Sequence, residues 1–153
     1  MSEFTVKPAQ ILLVEDNPGD VQLTKEALEN CKMLNTLHVV MDGEEAMEFL
    51  YNKGKYQEAP VPDIIILDLN LPKIDGREVL RRVKNDDKFK TIPIVILTTS
   101  KAEEDIIKSY EYHANCYITK PLDLENFIEV VKAIENFWMG IVVLPQGSGE
   151  KDG

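Results

Sequence analysis

The sequence predicts an α/β protein whose core is a doubly wound, five-stranded parallel sheet. Three observations carry that reading. Short apolar runs recur at "QILLV" (10–14), "LHVV" (37–40), "DIIIL" (63–67), "IPIVIL" (92–97) and "CYI" (116–118), each of strand length and mostly aliphatic or β-branched. Amphipathic segments separate them, so five strands alternate with five helices, the order of a sheet covered on both faces. The runs are nearly continuous rather than alternating in polarity, as strands buried on two sides require.

Each helix has a start signal. Asn17-Pro18 opens the first, with Leu23, Ala27, Leu28 and Cys31 as its inner stripe. "DGEE" (42–45) and "DGRE" (75–78) each set an Asp cap three residues before a Glu, and "SKAE" (100–103) is a Ser-x-x-Glu capping box. Asp123 caps the last helix, whose Leu124, Phe127, Ile128, Val131 and Ile134 keep helical spacing. The polar, proline-bearing stretch 52–62 reads as a loop ahead of the third strand. Residues 1–9 read as an N-terminal extension, 10–138 as the one domain, 139–145 as an apolar extension, and "QGSGEKDG" (146–153) as a disordered tail.

Composition narrows the function classes. At 44% hydrophobic and 29% charged residues the chain is ordinary globular protein. A net charge of -10 argues against a nucleic-acid or anionic-membrane binder, which needs a basic field. No run approaches the roughly 20 apolar residues of a membrane span, and "MSEFTVKPAQ" lacks a signal-peptide layout. A cytoplasmic protein is expected. Cys31 and Cys116 stand alone, without metal spacing, and read as reduced, buried thiols.

The chemistry gathers where the strands stop. After "ILLV" come Glu15 and Asp16, after "IIIL" comes Asp68, after "IVIL" come Thr98, Thr99 and Ser100, and after "CYIT" come Lys120 and Pro121. In an open α/β sheet, ligands bind outside the carboxyl ends of the strands, where the winding reverses. Taken singly, each has a plain structural reading: a helix cap, a turn residue, a strand-end hydroxyl, a solvated lysine. Their joint occurrence points to a ligand site. Three carboxylates against Lys120 leave a local charge of about -2, and like charges about 4 Å apart repel by roughly 4 kcal/mol at an effective dielectric of 20. Either one carboxylate stays protonated or a divalent cation sits between them. Oxygen donors suit Mg²⁺ or Ca²⁺, and a small site with room for water favours Mg²⁺ beside a phosphate. Zinc is disfavoured, because His38 and His113 lie elsewhere in the chain.

These residues and their spacing resemble the receiver domains of two-component response regulators, over about Gln10 to Phe137. The resemblance implies a flavodoxin-like strand order 2-1-3-4-5 and a sensor histidine kinase that phosphorylates Asp68. It makes Asp16 and Asp68 direct Mg²⁺ ligands with the backbone carbonyl of Asn70, and Glu15 a ligand through water, its extra methylene being a modest departure. Thr98, Thr99 and Lys120 would contact the phosphoryl oxygens, and Pro121 would hold the turn. Asn70 and Ser100 stand where the family tunes access of the attacking water. Thr98 and Tyr117 would form the switch, the threonine moving to phosphate and the aromatic turning inward. Such a chain is a self-dephosphorylating phosphoacceptor, not a conventional turnover enzyme. Moving a two-state equilibrium from 1:99 to 99:1 needs about 5.5 kcal/mol, within reach of a few charge-assisted hydrogen bonds of roughly 1.5–3 kcal/mol each.

More narrowly, "LPKIDGREVL" (71–80), "PIVILTTS" (93–100), "NCYITKP" (115–121) and "FWMGIVVLP" (137–145) resemble the cyanobacterial phytochrome-associated regulators, which implies a phytochrome kinase. His113 stands where many receivers carry a glycine. No output domain is expected after the receiver, so the switch would act through protein contacts. Trp138 and the apolar residues after it either pack back on the domain or extend a surface with Tyr110, Tyr112 and Tyr117. The second arrangement gives a homodimer through the fourth helix, fifth strand and fifth helix. Two other functions compete. A phosphorylation-independent pseudo-receiver adaptor could lose acid-pocket or lysine residues, yet all are present. An aspartyl phosphatase would want D-x-D where "DLN" places Asn70, and no P-loop motif occurs.

Overall fold

A computed structural model of the chain describes residues 8–31, 34–98 and 116–120, together with 125, 127–129, 131–133 and 135–136 of a last helix. Five strands form one sheet in the order β2-β1-β3-β4-β5: β1 (Ala9–Val14), β2 (Asn35–Val40), β3 (Ile64–Asp68), β4 (Ile94–Thr98) and β5 (Cys116–Thr119). Every neighbouring pair is parallel. Between them lie α1 (Pro18–Glu29), α2 (Gly43–Leu50) and α3 (Gly76–Lys84). The strand order and the α/β class agree with the sequence reading. The fourth predicted helix, from "SKAE", lies outside the described residues, as do Asp123, residues 1–7 and everything beyond 136.

Strand side chains alternate between two faces, and each face has its own core. Leu12, Val14, Ile65, Leu67, Ile94 and Ile96 pack under α2 and α3, whose Phe49, Leu50, Val79, Leu80 and Val83 are buried against them. Ile11, Leu13, Ile64, Ile66, Val95 and Leu97 face α1 and the last helix through Ala27, Leu28, Phe127 and Val131. At about 25 cal/mol per Å² of apolar area removed from water, these two layers dominate the stabilisation. β2 is the exception to the continuous apolar reading. As an edge strand it is only partly buried at Leu37, His38 and Val39.

The caps follow the predicted signals with two differences. Asn17 accepts from the Asp20 N–H with Pro18 at the first helical position, and Asp42 accepts from the Glu45 N–H. Glu45 returns its bond to the Met41 N–H (2.8 Å) rather than to the cap itself. Glu78 does not turn back to Asp75 at all, because Arg81 and Arg82 ahead of it take both its oxygens. The 52–62 loop carries its own 3₁₀ turn at Gly54–Tyr56. Asn52, at φ 57, holds that loop by donating to the carbonyls of Tyr56 and Ala59. The Cys31 thiol is half-buried rather than buried and donates to the Leu28 carbonyl. The side chain of Cys116 lies outside the described residues.

Candidate functional site

The site exists because the sheet register brings distant strand ends level. Val14 pairs with Leu67, so Glu15 and Asp68, each one residue further on, stand side by side. Asp68 pairs with Leu97 and Thr98 with Thr119, which puts Lys120 just past the sheet edge. β1 lies between β2 and β3. The winding direction therefore reverses at the two strands that carry the acids, where α/β sheets open a crevice.

Asp68 is 2% exposed at the end of a strand whose five residues are all buried. Its Oδ1 accepts the Asn70 N–H (2.9 Å) and its Oδ2 accepts from Lys120 Nζ (3.1 Å). The chain behind it is pinned from two sides. A Cβ on Gly76 would stand 2.4 Å from the Asp68 carbonyl oxygen, and one on Gly43 would stand 2.0 Å from that of Ile74. Only glycine permits those approaches. Lys73, at φ 63, reaches Asp42 (3.7 Å) and Glu44 (3.5 Å) and ties the turn to the start of α2.

Glu15 is fully buried. Its N–H continues the ladder to the Val40 carbonyl (3.0 Å), while Oε2 accepts from the Asn17 N–H (3.1 Å) and Lys120 Nζ (3.1 Å). Oε1 lies 3.0 Å from the same ammonium but off the hydrogen-bonding line, and it has no hydrogen-bond partner among the described residues. Asp16 is exposed, and oxygens of Glu15, Asp16 and Asp68 all lie within 4.8 Å of one another.

The charges follow from this crowding. Burial pushes the Glu15 carboxyl up most strongly. The Lys120 hydrogen bond opposes it, the Asp68 charge adds to it, and the net is about 7. For Lys120, burial works against the ammonium. Hydrogen bonds to Asp20 and Glu15, and the charges of Asp68 and Glu15, outweigh burial and hold it above the ordinary lysine range. A site where three carboxylates crowd one ammonium, and where burial and the Asp68 charge raise the buried Glu15, is short of positive charge. A hard divalent cation supplies it, and the all-oxygen donor set of Glu15, Asp16 and Asp68 fits such an ion.

Sequence reasoning brought Glu15, Asp16, Asp68, Asn70 and Lys120 to this edge, and the structure places them together. It missed Asp20. Asp20 Oδ2 is 2.9 Å from Lys120 Nζ. An acid in the first turn of a helix usually signals the helix dipole alone, which is how it escapes notice. Tyr117 is half-buried against the core under α2 and α3. Thr98 closes β4 at the predicted height, but its side chain, and Thr99, Ser100, Tyr110, Tyr112, His113, Pro121 and Trp138, lie outside the described residues. His38 stands away from the acids on β2. Its Nε2 is 2.7 Å from Gln10 Oε1 and its ring packs on Phe49, with burial lowering its pKa.

Comparison with known proteins gives one consistent answer. The response regulator receiver domain family matches residues 11–132. The response regulator Rcp1 of Synechocystis sp. is 47% identical over 145 residues, spanning 95% of this chain and 99% of that protein. Among solved structures, the phosphorylated cyanobacterial phytochrome response regulator RcpA is 49% identical with a TM-score of 0.76, over 88% of this chain and 96% of its own. The Mn²⁺-bound form of Rcp1 is 48% identical with a TM-score of 0.75, over 86% of this chain and 94% of its own.

Proposed function

The chain belongs to the response regulator receiver family, the phosphoacceptors of two-component signalling, and from that premise we propose that Asp68 takes the phosphoryl group from a sensor histidine kinase. The observation that carries this is the position of Asp68: buried, fixed at its strand end, and flanked by Glu15, Asp16 and Lys120. A carboxylate oxygen of Asp68 attacks the phosphorus of a phosphohistidine protonated at its other ring nitrogen, the P–N bond breaks with its electron pair returning to nitrogen, and the neutral imidazole leaves. The product is an acyl phosphate, and attack of water on phosphorus returns the carboxylate and inorganic phosphate. Such transfer needs positioning and charge neutralisation rather than a reactive side chain. The chain is thus a phosphoacceptor and not a turnover enzyme.

Asp16, Asp68, the Asn70 carbonyl and, through water, Glu15 would hold Mg²⁺. When bound, Mg²⁺ neutralises phosphoryl charge during transfer. Lys120 steadies another phosphoryl oxygen, with Thr98 and Thr99 as further contacts, Thr98 and Tyr117 as the switch and Pro121 holding the turn. The kinase is proposed to be a phytochrome, because the similar proteins include a phytochrome response regulator. A cytoplasmic setting belongs to the same proposal; no helix among the described residues is long and apolar enough to cross a membrane. A homodimer through the fourth helix, β5 and the last helix, with Tyr110, Tyr112, Tyr117 and Trp138 at its surface, completes the reading within a receiver unit of 10–138.

Intact-mass measurement after incubation with Mg²⁺ and a small phosphodonor tests the central claim. Wild type gains one phosphoryl group and Asp68→Asn gains none. Equal uptake by both proteins, or none by either, sinks the assignment of Asp68. A phytochrome kinase that transfers to this chain no faster than an unrelated sensor kinase would remove the light-signalling partner alone. Sedimentation as a monomer at tens of micromolar would remove the dimer.

A further inference from the structure

Lys120 has three protons to donate, and among the described residues three carboxylates surround its Nζ. Two of them, Glu15 and Asp68, belong to the acid pocket. The third, Asp20 Oδ2, is the nearest at 2.9 Å, against 3.0 Å for Glu15 and 3.1 Å for Asp68. Asp20 is held there by its own backbone. Its N–H donates to Asn17 Oδ1 (3.0 Å), and its carbonyl accepts from the buried Thr24 hydroxyl (2.8 Å). Asn17 in turn donates its N–H to Glu15 Oε2 (3.1 Å). Glu15, Asn17, Asp20 and Lys120 therefore close a ring of hydrogen bonds and one ion pair between the end of β1, the first turn of α1 and the end of β5.

We infer that Asp20 is a positioning residue for phosphoryl transfer, holding the Lys120 ammonium over Asp68 before the phosphoryl group arrives. The inference rests on the reading of Lys120 as a phosphoryl contact. A lysine side chain loses substantial rotamer freedom when it is pinned, so a resting anchor lowers the ordering cost that transfer would otherwise meet. Asp20 is 21% exposed at its side chain, unlike Glu15 and Asp68 at 0% and 3%. It can stay engaged with Lys120 while the other two change partners. Once Asp68 carries the phosphoryl group, Lys120 exchanges one carboxylate for a phosphoryl oxygen and keeps Asp20. The ring also passes any shift of Lys120 to the first turn of α1.

The test uses the full chain with Asp20→Asn, which keeps the shape and removes the charge, and two measurements. Initial phosphorylation rate with Mg²⁺ and a small phosphodonor is expected to fall roughly tenfold, the weight of one charge-assisted hydrogen bond. Competitive labelling with an amine acylating reagent, read by peptide mass against exposed Lys55, reports Lys120 directly. Its labelling is expected to rise several-fold in Asp20→Asn. Unchanged phosphorylation overturns the inference. So does slower phosphorylation with unchanged Lys120 labelling, because the role is then structural. If wild type takes up no phosphoryl group, the proposed function fails instead. Labelling alone then decides whether Asp20 holds Lys120, with unchanged labelling again overturning that hold.

Discussion

Glu15, wholly buried, and Glu45, partly buried, are two glutamates whose environments push them in opposite directions. Glu15, at the end of β1, is raised to about 7, first by burial and then by the charge of Asp68 against the help of Lys120. Burial pushes Glu45, on α2, in the same direction. It is nevertheless lowered, because the Tyr56 hydroxyl, the Met41 N–H and Lys55 all bond it. One acid has an oxygen without a hydrogen bond among the described residues and a like-charged neighbour, and the other has its donors supplied. A buried carboxylate whose needs are met by the fold is structural. One whose needs are left unmet marks where a ligand binds.

The largest expected effect comes from removing the cation on each side. Lys120→Met leaves Glu15 and Asp68 facing each other in the sheet edge without an ammonium. Breaking such a buried cluster costs about 3–5 kcal/mol. Lys55, 74% exposed beside Glu45, sits where ion pairs count for little, so Lys55→Met changes stability by less than about 0.5 kcal/mol. Denaturant unfolding at pH 8 in chelator measures both. Equal costs for the two lysines would contradict the distinction.

Proton linkage gives the next effect. Between the ordinary glutamate value of 4.5 and the folded value of about 7, folded Glu15 holds a proton that the unfolded chain has released. Stability from this group therefore falls as pH rises through that window, by a total on the order of 3 kcal/mol. Glu45 has the opposite sign. Its lowered folded value contributes stability above 4.5 that is lost as pH falls further. Metal-free protein should thus lose stability from pH 5 to pH 8, while Glu15→Gln stays flatter. Divalent cations compete with the proton, so millimolar Mg²⁺ should stabilise wild type more at pH 8 than at pH 6. A flat wild-type profile in chelator, or Mg²⁺ stabilisation independent of pH, would show that Glu15 does not carry the missing charge.

What could be read from the sequence divides along the same line. Glu15, Asp68 and Lys120 were legible because each follows an apolar run that can only be a strand, and parallel strands end at one edge. Asp20 was not, since its partner lies 100 residues away and nothing local says which helix end faces β5. The two close approaches were also hidden. "DGEE" and "DGRE" read as equivalent caps, yet Gly43 and Gly76 are required by backbone of other segments, Ile74 and Asp68. Within the caps, Glu45 turned back and Glu78 turned forward. Arg81 and Arg82 lie one helical turn beyond Glu78 and outbid a single backbone N–H. Competition of that kind is decided by geometry, not by pattern.

The smallest effect tests the structural member of the pair. Glu45→Gln keeps an acceptor for one of the two neutral donors, Tyr56 hydroxyl or Met41 N–H, and turns an NH₂ group toward the other. The loss should be about 1 kcal/mol, the net weight of one satisfied hydrogen bond, with a further small loss from Lys55. None of this reaches the acid pocket. Mg²⁺ affinity, followed by its stabilisation of the fold, should match wild type, and so should phosphoryl uptake. Glu15→Gln should invert both results, weakening Mg²⁺ binding while leaving metal-free stability at pH 8 equal or higher. If Glu45→Gln weakens Mg²⁺ binding as much as Glu15→Gln does, then α2 is part of the site through Glu44, Lys73 and the turn after β3, and the division between a structural and a functional acid falls.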